Sequence, residues 1–164
     1  MEGLTGGDLV QLAGHYDGDR DVVAEKLKRK IEPVNLRKRE GPAKRKLVYA
    51  STEKMIETAN EIFGYDGWNN ETKRMEVIEK KLDGKSYKVV WMSIVRVTLK
   101  SGVYREGTGT GLGQGEMQAA HEKAMKEAES DALKRALKNF GPALGLCLYD
   151  KDYLRQIESK VKMG

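Results

Sequence analysis

Cysteine occurs once, at position 147, so the chain can hold neither an internal disulfide framework nor a multi-cysteine zinc site. A reducing compartment is expected. Apolar runs are short: nothing approaches the roughly 18 consecutive apolar residues of a membrane helix. Residues 1–21, acidic and glycine-containing, lack the basic and apolar regions of a secretory signal. A soluble intracellular protein follows. Histidine is nearly as scarce. His15 and His121 stand far apart, and the chain contains no HExxH pair, no GxSxG elbow and no CxxC. His121 is expected on the polar side of its helix, solvated like most lone histidines. No enzymatic role, metal or cofactor is assigned.

Charge is what the chain has in quantity. Of its 164 residues 34% are charged, with a net +5 and a pI near 9.2, so the surface attracts polyanions at long range. Nucleic acid is the first partner to consider and an anionic membrane surface the second. The length suits one ordinary domain, and 39% hydrophobic content suits one modest core.

Hydrophobic periodicity divides the chain. Residues 1–20 read as an arm with little pattern, and 21–164 as the domain. Val22, Val23, Leu27 and Ile31 recur at helical spacing until Pro33. The stretch Arg37 to Lys46 holds six basic residues around Gly41-Pro42 and reads as a mobile basic loop. Leu47 to Ala50 is a brief strand. Ser51 or Thr52 then caps a helix with Met55, Ile56, Ala59, Ile62 and Phe63 on one face, ended by Gly64. Period-two alternation predicts strands over Arg74–Leu82, Ser86–Leu99 and Val103–Glu106, joined by tight turns at Asp83-Gly84 and Ser101-Gly102. The glycines at 107, 109, 111, 113 and 115 follow a strand and precede a helix, yet they match neither GxGxxG nor a P-loop, and they read as a structural loop. A long helix is predicted from Glu116 to Phe140, with alanine every fourth residue from Ala120 to Ala136. An apolar turn, Ala143 to Tyr149, leads to a polar helix over Asp150–Lys162. The expected class is α+β: an antiparallel meander packed on a long helix.

The basic residues cluster with aromatics. Lys134, Arg135 and Lys138 lie on one flank of the long helix. Arg37, Lys38 and Arg39 precede Tyr49, and Phe63-Gly64-Tyr65 is followed closely by Trp68. Cations can track a phosphate chain while flat rings stack on exposed bases, a pairing suited to single strands. Glu127 and Asp131 are assigned to ion pairs with Lys123, Lys134 and Arg135 rather than to acid–base work. Two rival readings remain: a duplex-RNA binding module, and an enzyme holding a nucleotide at the glycine run.

Four blocks sharpen this reading: Ala59 to Trp68, Val95 to Lys100, Asp131 to Gly141, and Ala143 to Arg155. In order and spacing they resemble the Rad fifty-two family of eukaryotic recombination mediators, over residues 22–158. The resemblance implies a strand-strand-strand-helix core, assembly into a homo-oligomeric ring, and a basic groove holding single-stranded DNA for ATP-independent annealing in homologous recombination and double-strand break repair in the nucleus. It places inner-groove residues at Arg39, Tyr49, Lys134, Arg135 and Lys138, with Phe63 as a base contact. Lys138 stands where arginine is usual. A second site for duplex DNA or another strand would fall on Lys85, Lys151 and Arg155, and Gly115 stands where the family has a further lysine. The arm does not resemble the family. The sequence stops before the tail by which relatives bind replication protein A and a RecA-like recombinase; it reads either as a piece of a longer protein, which could hold those partners, or as a naturally minimal one, and it gives mediator activity no support.

Overall fold

The computed structural model describes residues 20–164; the expected arm lies outside them except for its last residue. A first helix, α1, covers residues 20–27, and the chain leaves it before Pro33, which opens a 3-10 turn of its own. The basic stretch that follows is not a loop. Arg37–Glu40 (β1) and Lys46–Tyr49 (β2) form an antiparallel hairpin with Arg37 opposite Tyr49 and Arg39 opposite Leu47. The Gly41 amide donates to the Arg45 carbonyl at 2.7 Å, and Ala43 and Lys44 adopt positive φ to turn the chain. A hydropathy reading misses this strand because its inward residue is Lys38, 8% exposed and flanked by exposed Arg37 and Arg39. A lysine can bury its alkyl stem this way while scoring as solvent-facing.

Helix α2, Thr52–Phe63, starts where the Ser51 hydroxyl accepts from the Lys54 amide at 3.2 Å and ends on Gly64 at φ 84°. Its buried residues are Met55, Ala59 and Ile62. The meander follows: β3, Trp68–Asp83; β4, Ser86–Leu99; β5, Tyr104–Gly115, in that order and antiparallel. Two strands exceed the sequence reading. β3 begins six residues early, with half-buried Trp68 and then exposed polar residues that carry no alternation, and β5 runs on through the glycines.

That glycine run is a strand because of what faces it. Helix α3, Met117–Lys138, lies along the sheet with Ala120, Ala124, Ala128, Ala132 and Ala136 fully buried. A Cβ on Gly107, Gly109, Gly111 or Gly113 would fall on the α3 backbone at Ala132–Ala136, Ala128–Ala132, Ala124–Ala128 and Ala120. Glycine is disfavoured in strands as a rule, and here its missing side chain lets the helix approach closely. The contacts also fix direction: α3 runs antiparallel to β5.

After α3, 3-10 turns at Pro142–Leu144 and Leu146–Tyr149 lead to α4, Lys151–Ile157, capped by Asp150, which accepts from the Asp152 and Tyr153 amides at 3.0 Å. The last helix is shorter than expected. The chain ends as β6, Lys162–Met163, parallel to β1. The main core gathers Leu36, Met55, Val95, Val97, Leu137 and Leu144 at the C-terminal end of α3, and a smaller one holds Val89, Ala120 and Ala124 at the other end. The class is α+β, as expected.

Candidate nucleic-acid interface

Burying Leu133 and Leu137 against the main core turns Lys134, Arg135 and Lys138 outward on the adjacent flank of α3. The β1–β2 hairpin and the turn after α3 rise on either side. Between them is a concavity of about 200 Å³ lined by Tyr49, Met55, Asp131, Lys134, Arg135, Lys138 and Tyr149, among others. Tyr49 and Lys134 are 85 residues apart in sequence and line the same hollow. Arg39, across the hairpin, sets its guanidinium 5.4 Å from the centre of the Tyr49 ring. Its charge also reaches Lys134.

Lys134 is half-buried and makes no ion pair among the described residues. Burial holds its ammonium below the ordinary lysine range; Asp131 opposes that shift, and Arg39 and Arg135 add to it. A cation desolvated beside two others gains by taking up an anion. Arg135 Nε lies 3.0 Å from Asp131 Oδ2, which also accepts from the Thr110 amide at 3.2 Å, so the carboxylate orients the guanidinium from a fixed position on the sheet. Lys138 Nζ stands 4.1 Å above the Tyr149 ring. Tyr149 is 61% exposed. The arrangement offers donors for phosphate oxygens beside two rings, and it contains no nucleophile–base pair. Among the described residues no group of three His, Cys, Asp or Glu could hold a metal, and no helix is long and apolar enough to cross a membrane.

Other expected positions lie elsewhere. Phe63 packs edge-on against Phe140, with centroids 5.6 Å apart, on the main core and outside the concavity. Lys85 is exposed at the β3–β4 turn, while Lys151 and Arg155 are exposed on α4, Arg155 beside Asp152 at 3.2 Å. One chain does not bring these together: Lys85 lies beyond the start of α3 and α4 beside its end, about 30 Å apart at helical rise. Gly115 faces open space.

Two assignments change. His121 is not on the solvated side of α3; its Nδ1 accepts from Trp91 Nε1 at 2.9 Å, which ties the helix to the sheet. Glu127 makes no ion pair among the described residues and accepts from the Leu112 amide at 3.3 Å, so it joins Asp131 in satisfying outward amides of β5, an edge strand. Tyr149 was missed because it ends an apolar turn, and its signal was the switch to Asp150-Lys151 immediately after it.

A family model described as "Rad52/22 family double-strand break repair protein" matches residues 19–163. Among similar proteins, "DNA repair and recombination protein RAD52" of Saccharomyces cerevisiae is 44% identical over 151 residues, 90% of this chain and 31% of the relative. Its namesake in Kluyveromyces lactis is 41% identical over 91% of this chain and 34% of its own length. "DNA repair and recombination protein rad22" of Schizosaccharomyces pombe is 41% identical over 80% of this chain and 29% of its length. The chain thus spans about a third of these relatives.

Proposed function

This chain belongs to the Rad52/22 family of double-strand break repair proteins, and we propose on that premise that it binds single-stranded DNA in the α3–hairpin concavity and anneals complementary strands without a nucleotide. The observation that carries this reading is the convergence of Lys134, Arg135 and Lys138 with Tyr49 and Tyr149 around one hollow, with the Arg39 guanidinium 5.4 Å from the centre of the Tyr49 ring. The cations neutralise phosphates and the rings engage bases. Base pairing with the incoming strand supplies the free energy, so no covalent step and no catalytic residue are required.

The same reading makes the chain a subunit of a closed ring acting in the nucleus. On the sheet face away from α3, Val90 lies beside Leu112, with Met92 and Ile94 in the same row, an apolar strip that a neighbouring copy can cover. Lys85, Lys151 and Arg155 are proposed as a second DNA surface. A duplex rising about 3.4 Å per base pair spans their separation in roughly nine pairs. No residue of this chain is proposed for contact with replication protein A or a RecA-like recombinase.

Replacing Lys134 and Arg135 together by alanine tests the site. Two lost phosphate contacts should weaken single-strand binding by at least about 1.5 kcal/mol and reduce the slope of log affinity against log salt by about 1.4. An unchanged affinity and slope would move the site elsewhere, and preference for duplex RNA in competition would favour the rival reading.

A further inference from the structure

A second concavity, of about 390 Å³, lies next to the first along α2. Met55 of α2 lines the first, and Lys54 and Thr58 line the second; Leu144 lines the first, and Ala143 the second. Met55 and Thr58 are one turn apart on neighbouring faces of α2, so the two hollows lie side by side along that helix. Lys26, Arg29, Lys30 and Lys54 line the second against Glu32 and Glu61. Asp150 and Glu57, just outside the lining, pair with Lys30 and Lys54, which leaves Lys26 and Arg29 as its cations without a carboxylate partner among the described residues.

The cations differ in how they are held. Lys30 is anchored by Asp150 at 3.0 Å and lies over the Tyr153 ring at 4.7 Å, and Lys54 is 3.5 Å from Glu57. Among the described residues Lys26 touches a single acceptor, the Glu61 carbonyl, at 3.5 Å. Arg29 has no ion pair or side-chain hydrogen bond among the described residues. Two donors are thus available beside two anchored ones. The lining has no aromatic ring, unlike the first hollow, and Ile31, Ile62 and Ala143 at its floor are 7–8% exposed. Lys26 and Arg29 offer donors to an anion here, while bases find nothing to stack on and apolar side chains little to bury against.

We propose that this second concavity binds the phosphodiester backbone of a further nucleic-acid segment without contacting its bases. The proposal rests on the reading of the first hollow as a single-strand site. It concerns a different surface from Lys85, Lys151 and Arg155, none of which lines it. Annealing brings two polyanions together, and their repulsion falls when cations face each of them from neighbouring hollows. A backbone-only site leaves the bases of its occupant free to pair.

The test uses the full chain carrying K26A/R29A, with K26Q/R29Q as a second variant should the first unfold, each checked by thermal melting. The protein is saturated with a labelled single strand, and binding of a non-complementary duplex, or of a non-complementary second strand, is followed by anisotropy. We expect first-strand affinity within two-fold of the parent and second-segment affinity at least five-fold weaker, equally for duplex and single strand. Unchanged second-segment affinity, a loss confined to single strands, or a site that takes polyglutamate in preference to duplex would overturn the proposal. Failure of the first-site reading would register separately, as first-strand binding that is indifferent to K134A/R135A.

Discussion

Lys134 is desolvated by its seat on α3 and crowded by Arg39 and Arg135, with Asp131 pulling the other way. In the free protein its pKa is below the ordinary value, and a bound phosphate raises it again. Affinity is therefore full below the free-state pKa and falls as pH rises through it, levelling above the bound-state pKa. Single-strand binding should begin to weaken in the alkaline range below 10.5, and K134R, which cannot deprotonate, should remove that dependence while keeping the charge. A profile identical in the two proteins would place Lys134 outside the contact. Tyr149 makes a complementary case. Y149A should cost about 1–3 kcal/mol of affinity if the ring stacks on a base, with the salt slope unchanged and Y149F close to the parent; a changed slope would mean the ring acts by holding Lys138. The cations were legible in sequence because helical spacing puts them on one flank. Tyr149 was not, since an apolar turn gives no sign of which of its side chains ends outside.

Among the elements, β5 and α3 are mutually dependent. Glycine and alanine line their contact so closely that the helix backbone lies where a Cβ would go. G109A should therefore destabilise the fold by about 1–3 kcal/mol through overpacking, read from the midpoint of urea unfolding; a neutral result would mean that the helix can shift away without loss. Propensity misread this strand because glycine usually signals a loop, and the fit exists only once α3 is in place. The β1–β2 hairpin was misread for the opposite reason, its inward Lys38 being charged. By contrast, α2, β4 and α3 carry clean periodicity, and their expected and observed bounds agree within two residues at each end.

At the scale of the whole molecule, the meander serves as the frame on which α3 holds its cations toward the hairpin. No local pattern could have said that Tyr49 meets Lys134, because the encounter depends on α2 and the turn after α3 packing around Met55 and Leu144. Nor could spacing show that Lys85 and α4 occupy opposite ends of the subunit. The most direct test of the central claim is to irradiate the protein with a bromodeoxyuridine-substituted single strand and map the covalent adducts by mass spectrometry. Adducts on Tyr49 or Tyr149, lost in K134A/R135A, are the predicted result; adducts confined to the sheet face away from α3 would contradict it.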